Sequence, residues 1–161
     1  MSVLSTGPAH AGNDYGPPGF VFVNRLAGRC LEVADWSMSP GAAVRLWDCH
    51  GGRNQRWYRK TTGEYVNVNS GFCLDVPGWS TVATRLIQWP CTGGANQRWG
   101  TTQAGWLPGS GDQLLKVRND FSWLALQVTE GTWNGVPVVQ DEMATSGGVG
   151  PGSWQQWYQR Y

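Results

Sequence analysis

The side chains of this chain with the capacity for chemistry are four cysteines, two histidines, eleven acidic residues and eleven tryptophans. Cys30, Cys49, Cys73 and Cys91 fall 19 and 18 residues apart within two similar segments, which suggests two local disulfides. None lies in a C-x-x-C spacing, and His10 and His50 are too few to complete a zinc or redox site. Paired cysteines imply an oxidising, extracellular destination; the alternative is four reduced thiols buried in a cytosolic chain. Asp48, Asp75, Asp112 and Asp141 form no D-x-D calcium loop, so neither a metal nor another cofactor is expected. No G-x-S-x-G, H-E-x-x-H or Ser/His/Asp constellation is present either, which argues against an enzyme. What remains is recognition chemistry, with flat indoles set beside carboxylates and primary amides.

The bulk properties exclude further classes. Twelve Lys and Arg against eleven Asp and Glu leave a net charge of +1, too little for the phosphate neutralisation that nucleic-acid binding requires. No apolar run approaches the roughly 20 residues of a membrane span. With 14% charged residues, 23 Gly and 9 Pro, the composition is turn-rich rather than helical, and 161 residues fit one domain. Residues 1–19 contain no Lys, Arg or apolar h-region and read as a disordered tail or linker. Ala9-His10-Ala11 also has the small-x-small shape of a signal-peptidase site, as in a leader remnant.

The elements that must position the indoles come from an internal repeat. Gln55-Arg56-Trp57, Gln97-Arg98-Trp99 and Gln155-Gln156-Trp157 each close a segment of similar layout. The first segment contains Cys30-Leu31-Glu32-Val33 and Leu46-Trp47-Asp48-Cys49, and the second contains Cys73-Leu74-Asp75-Val76 and Gln88-Trp89-Pro90-Cys91. The third, with Ala125-Leu126-Gln127-Val128, has lost both cysteines. Its additional length is placed around Gly105–Asp112 and in Met143–Ser153. Short alternating runs such as Phe20–Val23 and Glu64–Val68 predict an all-β chain of about four strands per repeat. Repeats of this size, approximately 20–60, 61–104 and 105–161, cannot each bury a core, so they should share one with pseudo-threefold symmetry.

Three Gln-x-Trp motifs in phase, with the Cys-Leu-Asp-Val and Trp-x-Cys elements, resemble the ricin B-type (R-type) lectin family over residues 20–161. The resemblance implies a β-trefoil in which Trp57, Trp99 and Trp157 pack inward at the symmetry axis, with the Gln side chains as braces beside the pockets. It also implies non-catalytic carbohydrate binding, of galactose-type or related glycans, by a secreted lectin or carbohydrate-binding module. A fused or associated enzyme or toxin is a further partner. The alternative is a protein-binding trefoil, an inhibitor or toxin-associated adaptor, with degenerate sugar pockets.

A sugar presents hydroxyls at its edges and an apolar C–H face, so its site needs an aromatic platform and a few fixed polar groups. In the second repeat Asp75, Trp89, Asn96 and Gln97 occupy the family's carboxylate, platform, Asn and Gln positions, while Ile87 stands where the family often has Gln. In the first, Trp47, Asn54 and Gln55 are kept, but Glu32 replaces the aspartate and Arg45 precedes the platform. That site either binds with altered preference, Arg45 reaching an acidic sugar, or is a salt-bridged, inactive pocket. In the third, Gln127, Asp141 and Trp154 replace the carboxylate, platform and Asn, leaving Trp133 or Trp154 only for a different site. Trp36 and Trp79, each four residues after its carboxylate, form either a pocket rim or a hydrophobic lid over the barrel. Glycoside hydrolysis would need two carboxyls about 5 to 9 Å apart, whereas the repeats place theirs in separate lobes.

Overall fold

The computed structural model describes residues 19–129, 131–144 and 154–161. The expected tail, including Ala9-His10-Ala11, and most of the Met143–Ser153 stretch lie outside the described residues. The first lobe contributes β1 (Phe20–Asn24), β2 (Cys30–Val33), β3 (Val44–Trp47) and β4 (Arg56–Arg59). The second contributes β5 (Tyr65–Asn67), β6 (Cys73–Asp75), β7 (Thr84–Arg85), β8 (Ile87–Trp89) and β9 (Trp99–Trp106). The third contributes β10 (Gln113–Asn119), β11 (Ala125–Val128), β12 (Val138–Asp141) and β13 (Trp157–Arg160).

Six strands form a closed ring, because β1 pairs with β4 and β13, β4 with β5, and β10 with β9 and β13. A bridge between Glu64 and Arg98 closes the remaining gap from β5 to β9. Closure removes the exposed edges that would otherwise template aggregation. The other strands pair as the hairpins β2–β3, β6–β8 and β11–β12. These meet through Ala43–Ile87, Arg45–Pro137 and the pairing of β7 with β12. A barrel capped by three hairpins is a β-trefoil. The residues added around Gly105–Asp112 lengthen the β9–β10 hairpin, whose strands reach eight and seven residues.

Trp57, Trp99 and Trp157 are fully buried. Their indole N–H groups donate to the carbonyls of Leu31, Leu74 and Leu126 at 3.1, 3.1 and 3.0 Å, so each large apolar ring is buried without an orphaned donor. Leu31, Leu46, Leu74, Leu86 and Leu126 pack with them in the shared core. A second threefold device carries no obvious motif. Buried Asn24, Asn67 and Asn119 donate to the carbonyls of Trp154, Asn54 and Asn96, and each side-chain oxygen accepts two N–H groups of the following turn. They tie the end of one lobe to the start of the next. Disulfides Cys30–Cys49 and Cys73–Cys91 close the first two hairpins. Each is worth about 3 kcal/mol in the chain-entropy account of a loop of this length.

Candidate functional site

The β6–β8 register sets Asp75 opposite Ile87 and Cys73 opposite Trp89. Because side chains two apart share a face, Asp75, Ile87 and Trp89 line one side of the hairpin. They form a cavity of about 330 Å³ with Pro77, Trp79, Thr92 and Asn96. Trp89 is 43% exposed and Trp79 51% exposed, so two indoles are open at this pocket while Asp75 lies deep at 4%. Asp75 Oδ2 accepts Asn96 Nδ2 at 3.1 Å and Gln97 Nε2 at 2.7 Å. Its Oδ1 takes no hydrogen bond from the described residues. Burial pushes the Asp75 carboxyl above the usual aspartate range, and the Gln97 and Asn96 amides oppose the shift.

The two amides do different work. Gln97 is fully buried and spends its donors on Asp75 and the Pro90 carbonyl, while its oxygen accepts the Thr92 backbone and hydroxyl. It is therefore a brace and not a wall of the pocket. Asn96 likewise commits both N–H groups, to Asp75 and to the Val76 carbonyl, but its buried Oδ1 has no partner. The pocket offers a carboxylate oxygen, an acceptor, beside an aromatic plate, with the Asn96 amide oxygen closed off behind it. That set matches a ligand rich in hydroxyl donors with an apolar face.

In the first lobe the same register sets Arg45 directly opposite Glu32. Arg45 Nε donates to Glu32 Oε1 at 3.0 Å and Nη2 to Asp35 Oδ1 at 2.9 Å, while the guanidinium carbon lies 4.2 Å from the Trp47 ring centroid. Glu32 Oε2 accepts Asn54 at 3.2 Å and Gln55 at 3.1 Å, with His50 Nε2 at 3.5 Å. The expected binding residues Glu32, Arg45, Trp47, Asn54 and Gln55 are thus brought together, with Glu32 bonded by Arg45, Asn54 and Gln55. Both carboxylate oxygens are taken and the face of Trp47 is covered. Of the two expectations for this lobe, the geometry is that of the salt-bridged pocket. In the third lobe Gln127 donates to Asp141 at 3.0 Å and accepts from Gln155 at 2.6 Å, so the polar groups at the corresponding positions bond one another.

Trp36 and Trp79 hold left-handed backbone, at φ 55 and 53, and both are exposed rather than packed as a lid. Trp79 borders the second pocket; Trp36 stacks on His50 with centroids 5.7 Å apart. The third lobe supports the second, a role its sequence did not suggest. Buried Gln140 donates to the carbonyls of Ser80 and Val82, both at 2.9 Å, and Phe121 packs edge-on against Trp79 at 5.0 Å. A faint signal for this existed: Gln140 repeats Gln88, which grips Ser37 and Ser39 in the preceding lobe in the same way.

A threefold β-trefoil bearing an indole, a deep carboxylate and an amide in one pocket defines a carbohydrate-recognition domain. Residues 19–109 and 61–160 match the model of the ricin-type beta-trefoil lectin domain, and the chain belongs to that family. Carbohydrate binding without catalysis is the family's general role. The designed threefold-symmetric protein ThreeFoil is 30% identical, with a TM-score of 0.75 over 88% of this chain and 97% of that one. An exo-beta-1,3-galactanase from Clostridium thermocellum is 28% identical with a TM-score of 0.75, the match taking in 89% of this chain and 30% of that one. A 38-residue stretch is 45% identical to Serine protease 1 of Rarobacter faecitabidus, spanning 24% of this chain and only 7% of that protein.

Proposed function

We propose that the second lobe binds galactose-type sugars, one per chain, in a secreted lectin or carbohydrate-binding module. The observation that carries this reading is the open pocket in which Trp89 and Asp75 share one face of a hairpin. The apolar C–H face of the sugar stacks on Trp89 and two adjacent hydroxyls donate toward Asp75, while Asn96 steadies the carboxylate through its Nδ2. A charge-assisted bond to the carboxylate is stronger than a neutral one, so Asp75 supplies orientation as well as affinity. Gln97 holds the carboxylate in place. Trp79 forms a second wall, suited to a neighbouring sugar of a longer glycan.

The similarity to a galactanase makes galactose the first sugar to test, and the two disulfides suit an extracellular destination. That the galactanase and the protease are both much longer than their matched parts supports a module attached to, or associated with, an enzyme. A single pocket of this kind is weak, with Kd around millimolar, or about −4 kcal/mol. The test is titration with galactose, lactose, glucose and mannose while following tryptophan fluorescence, for the parent chain and Trp89→Ala. The parent should respond to galactose or lactose and the variant should lose that response. A parent that ignores a broad glycan panel would instead favour the protein-binding reading.

A further inference from the structure

We infer that the first lobe is a second sugar site held shut by two of its own side chains, Arg45 and His50. The inference rests on the proposed binding mode of the second lobe. The two hairpins share one register: Glu32–Arg45 corresponds to Asp75–Ile87, Cys30–Trp47 to Cys73–Trp89. Asn54 and Asn96 each donate to the carboxylate and to the following Val carbonyl, and each leaves its buried Oδ1 unpartnered. The frame of a pocket is therefore intact in both lobes, down to the orphaned acceptor. The filling differs.

Arg45 stands where Ile87 stands. Its guanidinium bonds the carboxylate and covers the indole face at 4.2 Å, reproducing the two contacts assigned to a sugar, a donor to the acid and a flat body on the ring. His50 stands where Thr92 stands, one residue beyond the disulfide. It fills the space between Glu32 and Trp36, 3.5 Å from the carboxylate and stacked under the indole. In the second lobe the smaller Thr92 leaves that space as part of the cavity beside Trp79. Asp35, where the second lobe has Gly78, holds the far end of Arg45 and keeps the plug oriented. The plug also explains how a buried Glu32 is tolerated, because both its oxygens are satisfied in the absence of ligand.

The test grafts the second-lobe residues into the first, as Glu32→Asp/Arg45→Ile/His50→Thr, and measures galactose stoichiometry by calorimetry. The parent should bind one equivalent and the graft two. In an Asp75→Asn background, where the parent site is disabled, the graft should restore binding of one equivalent. A folded graft that still binds one equivalent overturns the plug, as does a parent that already binds two. A parent that binds none overturns the binding mode itself, which separates the two failures. Should the graft not fold, the reverse exchange Ile87→Arg/Thr92→His decides. It should reduce galactose binding at least tenfold with the fold intact by circular dichroism, and unchanged affinity overturns the inference.

Discussion

Asp75 carries the strongest residue-scale consequence. Sugar hydroxyls donate to the ionised carboxylate, so acidification through its raised pKa should weaken binding, starting at a pH above that at which an ordinary aspartate is titrated. The same shift has the opposite sign for folding. A group that binds its proton more tightly when folded makes the fold more stable as pH falls through that window, so binding should be lost by neutralisation while the protein stays folded. Affinity measured alongside circular dichroism between pH 7 and 4 checks this; simultaneous loss of both would contradict it. Asp75→Asn should weaken galactose binding by about 1.5–3 kcal/mol, the worth of a hydrogen bond to a charged group, and remove the pH dependence. These residues were legible in the sequence because each stands at a fixed step from a cysteine or a Gln-x-Trp. The resemblance also implied that Gln97 is a brace, but which atoms it grips was not legible, because only the backbone path brings the Pro90 carbonyl and Asp75 to its two donors.

Among the elements, the loop carrying Trp79 is shaped by residues of another lobe. Gln140 grips its carbonyls, β12 pairs with β7 beside it, and Phe121 meets its indole. Gln140→Ala should leave the part-buried Ser80 carbonyl without its donor, while the Val82 carbonyl keeps the Ser80 and Thr84 hydroxyls, costing about 1 kcal/mol of stability and weakening oligosaccharide binding more than binding of galactose alone. Thermal unfolding and paired titrations would show whether the loss falls on the longer ligand, as expected if Trp79 is a second wall. Gly94 makes a sharper test. A Cβ there would lie 2.6 Å from Asn96 Oδ1 and 3.0 Å from the Trp79 ring, so Gly94→Ala should displace one of them and lower affinity several-fold with little change in fold. The sequence predicted the strands and four-per-repeat pattern from alternation and turn residues. It did not reveal that a third lobe without a pocket would hold the loop of the second, since that dependence runs through a pairing between sequence-distant strands.

For the whole molecule, the lobes share one core, and Trp57, Trp99 and Trp157 enter it from three directions with the same N–H to carbonyl bond. Unfolding by denaturant should accordingly be a single transition, and Trp99→Ala should cost about 3–5 kcal/mol, comparable to other large aromatic truncations. A separate low-stability transition for one lobe would show that the repeats do not depend on a common core. Residue types and a repeating spacing predicted an all-β chain of three repeats around a shared core, because a 40-residue unit with one apolar face cannot bury it alone, and the β-trefoil followed from the resemblance to the ricin B-type family. Cysteine spacing suggested two local disulfides, and the structure forms both, each across one hairpin. Which lobe is open was decided only by the tertiary structure. Trp47 and Trp89 are equivalent in the sequence, and what distinguishes them is the side chain that the cross-strand register lays over one ring and withholds from the other.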